Sequence, residues 1–356
     1  MKRLGYLDVL RGLAIVGVVF HHLFYSQFRY GMTGIEFPAV ITLIASSGWM
    51  GVNLFFFLSG FVLYLPYATG SRTMQSWGDA KRFYKHRALR ILPLYYLSAA
   101  IALLVSGLVP GSRDFWVALG HYVFVTFPYS KAHFMPPGNW VLWSIGVEIW
   151  FSIMFPALLI LIARMGVWRY LALTLAIAFA VRYISQLGGT IDHSISDSVF
   201  GRLDEFAYGM LGAHIYASRK RISWPVGMIG LGLIFFAIWL WSLSFLSKLG
   251  RINTAILNMP LDLGILLLTL ALLSLPPPRR IFLPVQAMGM MCYSLYIWHG
   301  MILVAFQQSL AKSYAYLPLY LLTVLAVSAF TYRYVEFRGA PWRRIFPFGV
   351  PGKIAQ

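Results

Sequence analysis

Cysteine is almost missing from this sequence: Cys292 is the only one. That excludes an intrachain disulfide and a metal site built from several cysteines. Acidic residues are also scarce, 11 against 29 lysines and arginines, and all charged residues together make up only 11% of the chain. Soluble domains carry about 25%, and no long polar stretch interrupts the sequence, so no separate soluble domain is expected within residues 1–356.

What fills the chain instead is apolar. It is 59% hydrophobic and 17% aromatic, with a mean hydropathy of +0.71. Several runs exceed the ~20 residues that a helix needs to cross a bilayer. The expected fold is all-α and polytopic, with about ten transmembrane helices over roughly 8–28, 48–67, 90–109, 139–163, 168–187, 203–218, 224–246, 256–275, 285–309 and 316–337. Residues 114–128, Asp114 to Pro128, are apolar but short and contain His121; they read as a re-entrant or interfacial helix within the outer loop from Val109 to Asn139. The first run does not resemble a cleaved signal peptide, because Arg11 interrupts its start and no small-x-small site follows.

The net charge of +18 invites a nucleic-acid reading, but its distribution argues otherwise. With both termini cytoplasmic, the ten spans put 21 of the 29 basic residues on the inner side, as the positive-inside rule requires. Arg182 and Arg202 fall among the outer eight. The basic excess then reflects topology and contact with anionic lipid or ligand.

Polar residues inside spans are costly and usually mark a site or a pathway. Arg11 and His22 lie eleven residues apart in the first span, so at ~100° per residue they share one stripe, with His22 ~16 Å deeper. In Gly51-Val52-Asn53 through Ser59-Gly60, a small-residue pair permits close helix packing, and Asn53 and Ser59 are candidate substrate contacts. Arg87 and Arg90 share a face just before the third span, placed to bind phosphate or simply to anchor the topology. Glu148 is the only acid in the fourth span and needs a partner, either a catalytic group or a neighbouring arginine. Arg202, Asp204 and Glu205 begin the sixth span; Arg202 and Asp204 are candidate substrate contacts, and Glu205 is expected to be solvated at the interface. Tyr293 and His299 close the set, the histidine being either functional or a core residue. No acid-histidine cluster has metal-ligand spacing, so no metal is expected.

Depth measured along the helices sorts these groups. His22 and His299 each lie ~21 Å from the inner edge of their spans, and Glu148 lies ~16 Å above it. Arg11, Arg87 and Arg90 fall at the cytoplasmic mouth. A cationic mouth below an imidazole-carboxylate chamber suits a phosphorylated donor entering from inside.

The blocks D-V-L-R-G-L-A, G-V-N-L-F-F-F-L-S-G-F, R-A-L-R, W-S-I-G-V-E, R-L-D-E-F-A-Y-G-M and Y-S-L-Y-I-W-H, in this order, resemble the acyltransferase-3 family of bacterial integral membrane acyltransferases. The ending Tyr334-Val335-Glu336-Phe337-Arg338 is also similar, although Gly339 and Ala340 precede Pro341, and Ile149 stands where members often carry a second acid. The resemblance implies about ten spans in a bacterial inner membrane. It also implies transfer of an acyl group, often acetyl, from acetyl-coenzyme A or another acyl-coenzyme A to a hydroxyl of a glycan or lipid-linked sugar. By the same match Arg11 and His22 are the basic-to-histidine pair, Arg87 and Arg90 the double-arginine pair, and Glu148 the acid of the fourth span. Many members carry a fused hydrolase-like domain, and no such domain is expected within these residues.

Chemistry agrees with the carry-over: hydroxyl attack on a thioester needs a base near neutrality, here His22, with Glu148 as its orienting partner. The expected partners are therefore the lipid bilayer, acyl-coenzyme A and the acceptor, with no nucleic acid and with a homo-oligomer left open. A transporter or flippase of a lipid-linked glycan would also carry intramembrane His, Glu and Arg, but no inverted repeat is visible. A macrolide or another non-sugar hydroxyl remains an alternative acceptor.

Overall fold

The computed structural model describes residues 4–29, 43, 45–219, 221–245 and 255–346. The extreme termini, on which the inside-inside topology rests, and Lys220 lie outside these residues. Among the described residues the secondary structure is helical: α1 Gly5–Arg29, α2 Met50–Ala68, α3 Trp77–Val105, α4 Arg113–Phe124, α5 Leu142–Met165, α6 Val167–Ile184, α7 Leu203–Ala217, α8 Trp224–Phe245, α9 Asn258–Leu273, α10 Leu283–Met290, α11 Cys292–Lys312 and α12 Leu317–Thr331.

Seven stretches are long and apolar enough to cross a membrane: Gly5–Leu23, Ser47–Ala68, Trp77–Val105, Leu142–Met165, Val167–Ile184, Trp224–Leu243 and Leu317–Glu336. An eighth is broken, Arg280–Met290 followed by Cys292–Lys312 at a 67° bend. The two remaining expected spans are α7, with 15 residues, and α9, with 16. Each is about 22–24 Å long, shorter than a ~30 Å hydrocarbon core. The segment expected to be re-entrant forms the 12-residue α4, which ends where Val125 adopts a left-handed backbone, φ 54°.

The third span starts well before the expected residue 90. A reciprocal cap fixes its start: Asp79 N donates to Ser76 Oγ at 3.2 Å, and Ser76 N donates to Asp79 Oδ2 at 3.1 Å. Two otherwise unsatisfied end donors are thus paired. The resulting 29-residue helix carries Arg87 and Arg90 inside it rather than ahead of it.

Close backbone approach at two glycines holds α2 against α7. A Cβ on Gly60 would stand 2.1 Å from the Phe206 carbonyl oxygen, and one on Gly209 would stand 1.9 Å from that of Phe57. Without side chains here the helices approach closely enough to stack Phe56 on Phe206, ring centres 4.7 Å apart. The small residues of the second span therefore do serve packing. Helix α1 packs along α10 and α11.

Candidate active site

His22, on α1, and His299, on α11, meet ring to ring. Their Nδ1 and Nε2 atoms are 2.8 Å apart, with nearly parallel planes. His299 Nδ1 faces two backbone carbonyls, Tyr296 O at 2.7 Å and Leu295 O at 3.2 Å. Carbonyls only accept, so this nitrogen carries the proton, and in the neutral ring Nε2 is the acceptor. His22 Nδ1–H then donates to it, leaving His22 Nε2 as the basic nitrogen. The tautomer is inferred from this hydrogen-bond chain. Trp140 packs edge-on against the His22 ring at 4.4 Å between centres. Tyr296 approaches His299 and accepts a hydrogen bond from Ser144 Oγ at 2.7 Å.

Glu148 is not the partner of His22. It receives Arg87 Nη2 and the Ser59 hydroxyl at 2.6 Å, while Arg87 also donates through Nε and Nη2 to Ser152 Oγ at 3.1 and 2.9 Å. The arginine ion pair foreseen as the alternative for Glu148 is the one formed. Depth along a helix fixes the level of a group but not the direction it faces. On α5, Glu148 faces α2 and α3, whereas His22 faces α11. Arg87 likewise sits within its helix, its guanidinium held by the acid. Ser59 is engaged with Glu148.

Arg90 binds Glu336, whose other oxygen accepts from Ser294 Oγ. Its guanidinium lies between the rings of Tyr293 and Phe337, 6.0 and 5.6 Å from their centres. The Tyr293 hydroxyl donates to Ile91 O at 2.7 Å. Glu336 reaches this position through a π-helical turn, Tyr332–Glu336, that ends the last span. Such turns add a residue and often mark functional positions. Arg11 pairs with Asp8 at 3.4 Å. Arg11 and Arg90 are both within electrostatic reach of Cys292, and Arg87 and Arg90 are both within reach of Tyr293. The three arginines therefore gather around the start of α11, whose helix dipole adds positive charge.

Arg202 and Asp204 belong to a different, sealed cluster. Arg182 grips Asp204 with two bonds of 2.8 and 2.6 Å, and Arg202 holds Asp197 and Glu205, the latter at 2.7 Å. Glu205 and Asp204 are fully buried and Arg182 is 3% exposed, so Glu205 is not the solvated interfacial charge expected, and Arg182 is sealed within the protein. Each of these five charges is paired by the fold, which lowers the cost of burying it. Asn53, also fully buried, lies against Asp262. Asp262 was missed because it is far from Asp204 in sequence, and Glu336 because it sits outside the spans' central polar blocks. The Glu336 signal lay in the Tyr-Val-Glu-Phe ending.

The model of a family described as an acyltransferase domain matches residues 4–333. A protein of Acidianus two-tailed virus, named provisionally as an acetyltransferase, is 24% identical over 300 residues, 82% of this chain and 80% of its own length. The peptidoglycan O-acetyltransferase OatA of Listeria monocytogenes is 25% identical over 169 residues, 44% of this chain and 24% of its own length. The O-acetyltransferase OatA of Staphylococcus aureus is 26% identical over 365 residues, 93% of this chain and 56% of its own length. The chain thus spans about half the length of the staphylococcal relative and less of the listerial one. No solved structure matches significantly.

Proposed function

The chain belongs to the acyltransferase family whose model it matches, and we propose that it transfers an acetyl group from acetyl-coenzyme A to a hydroxyl of a cell-envelope or exported glycan. The donor enters from the cytoplasmic side of a bacterial inner membrane, with both termini of the chain on that side. The observation that carries this reading is the pairing of α1 with α11. At one end Arg11 lies within electrostatic reach of Cys292, and at the other His22 meets His299 at 2.8 Å. On this reading the arginine end is the phosphate-binding mouth and His22 the base, ~16 Å apart by the rise of α1.

His22 Nε2 takes the proton of the acceptor hydroxyl as its oxygen attacks the thioester carbonyl. The carbon–sulfur bond then breaks, and the departing thiolate of coenzyme A takes that proton back from His22. His299 is a positioning residue: it accepts from His22 Nδ1–H, holds the productive tautomer and stabilises the imidazolium. Arg11, Arg87 and Arg90 hold the donor's phosphates, with Glu148 and Glu336 fixing the two guanidiniums in place. Tyr293 and the Arg90 face line the donor's path. The sealed positions of Asn53 and Asp204 suit a supporting role, not contact with a glycan.

Mass spectrometry of envelope glycans from cells with and without the protein tests the acceptor. O-acetyl groups present only with the active chain support the reading. Identical glycans from cells whose membranes still consume acetyl-coenzyme A in a His22-dependent way move the acceptor to a lipid, a macrolide or another non-sugar hydroxyl.

A further inference from the structure

The sealed cluster of α6, α7 and α9 holds more negative charge than its arginines neutralise. Asp204, Glu205 and Asp262 are fully buried, and a ligand oxygen from each lies within 4.8 Å of the others. Asp204 is satisfied by Arg182. Glu205 Oε1 receives Arg202, Arg182 and, at 2.9 Å, Asn258 Nδ2. Glu205 Oε2 and both oxygens of Asp262, however, complete no hydrogen bond in good geometry. A second observation comes from another helix. Asn53 on α2 is fully buried with its amide nitrogen toward Asp262, yet neither its amide oxygen nor its nitrogen completes a hydrogen bond in good geometry, and a flip of the amide turns its oxygen to the cluster.

Charge identifies what is missing. Arg182 balances Asp204 and Arg202 balances Glu205. Asp197 binds His193 at 2.6 Å, and this hydrogen bond holds the imidazole above its ordinary range and so favours its charged form. Asp262 is left with no cation, and an uncompensated buried charge is costly. All the unpartnered acceptors are oxygens, which hard cations prefer. Three oxygens within 4.8 Å of one another admit an ion no more than about 2.8 Å from each, a span that includes the oxygen-ligand distances of Ca²⁺-sized ions. The four unpartnered oxygens, Glu205 Oε2, both of Asp262 and that of the Asn53 amide, are fewer than the six to eight of a calcium site, and one net negative charge calls for a monovalent ion of that size.

We propose that Glu205 Oε2, the Asp262 carboxylate and the Asn53 amide oxygen bind a sodium ion inside the bundle. The ion ties α2, α7 and α9 together. Arg202 extends the same network to Trp143, lying 5.7 Å from its ring centre, near the start of α5. This site is independent of the acyl-transfer reading.

The test is the thermal unfolding midpoint of the full chain in detergent, in sodium, potassium or choline chloride at one ionic strength, together with equilibrium binding of ²²Na⁺. Sodium should raise the midpoint by about 5 °C over choline in a saturable way, as a ligand specific to the native state does, with potassium less effective. Asp262→Asn should remove both the sodium dependence and ²²Na⁺ binding. If that variant does not fold, the wild-type series and Asn53→Ala, expected to weaken sodium binding at least tenfold, decide the matter. A midpoint indifferent to cation identity, which would mean a proton shared between Asp262 and Glu205, overturns the proposal. Stabilisation by micromolar calcium or magnesium alone also overturns it, as does ²²Na⁺ binding unchanged in folded Asp262→Asn.

Discussion

His22 and His299, 277 residues apart in sequence, are joined by one 2.8 Å hydrogen bond, and backbone carbonyls acting on His299 decide which of the two is the base. His22→Ala should cut acyl transfer by about 10²–10⁴-fold, the usual contribution of a general base. His299→Ala should cost less, about tenfold to a hundredfold, since it removes positioning and leaves the basic nitrogen. The rate–pH profile separates the roles: His299→Gln, which can still accept from Nδ1–H, should recover part of the rate and shift the acidic limb, on which the base gains its proton, whereas His22→Gln should recover none.

Glu148 acts through Arg87. Glu148→Gln should raise the KM for the donor and lower kcat little. In a double-mutant cycle with Arg87→Ala the two losses should not add, because the residues form one ion pair. Full additivity, or a collapse of kcat alone, would return Glu148 to the chemistry at His22.

Arg90 and Glu336 make a second such pair. Arg90→Ala should weaken acetyl-coenzyme A binding by about 10–150-fold, corresponding to ~1.5–3 kcal/mol for hydrogen bonds to a charged group. Arg90→Lys should fall between, having lost the planar fork. Glu336→Gln should weaken donor binding without moving the acceptor's KM. Isothermal titration at two salt concentrations measures all three, and high salt should shrink the differences.

How much of this was legible in the sequence depended on the kind of quantity. The spans read directly, because their apolar length is a local property. Levels were half legible: His22 and His299 came out at one depth and are in contact. Glu148 shared that depth yet faces Arg87, because facing depends on which helices pack together. The Ser76–Asp79 cap was a readable start signal for α3, and reading it would have put Arg87 inside the helix. The Arg182–Asp204 pair was not readable, since its members are 22 residues apart, on two helices joined by a long connection that contains the short helix His193–Ser196.

Gly60 should tolerate no side chain. Its Cβ would meet backbone, the Phe206 carbonyl at 2.1 Å, which cannot rotate away. Gly60→Ala should cost about 1–3 kcal/mol or more by overpacking, read as a lower unfolding midpoint in detergent. Gly120→Ala, with nothing within 4 Å of its Cβ, should leave the midpoint unmoved.

Stability should also respond to pH at His193. Its hydrogen bond to Asp197 raises its pKa, so the folded chain holds this proton more tightly than the unfolded one. That contribution is complete below the ordinary imidazole range and disappears as pH rises through the raised value. The unfolding midpoint should therefore fall modestly from about pH 6 to above pH 7, and His193→Gln should flatten this slope.

The central claim is that this chain carries out acyl transfer with His22 as base. Purified protein in lipid vesicles, given acetyl-coenzyme A labelled in the acetyl group and a glycan acceptor, tests it most directly. Wild type should release free coenzyme A and place the label on the glycan in equal amounts, and His22→Ala, folded and still binding donor, should do neither. Label on the glycan at the wild-type rate in His22→Ala, or no label on any acceptor with the wild type, would contradict the account.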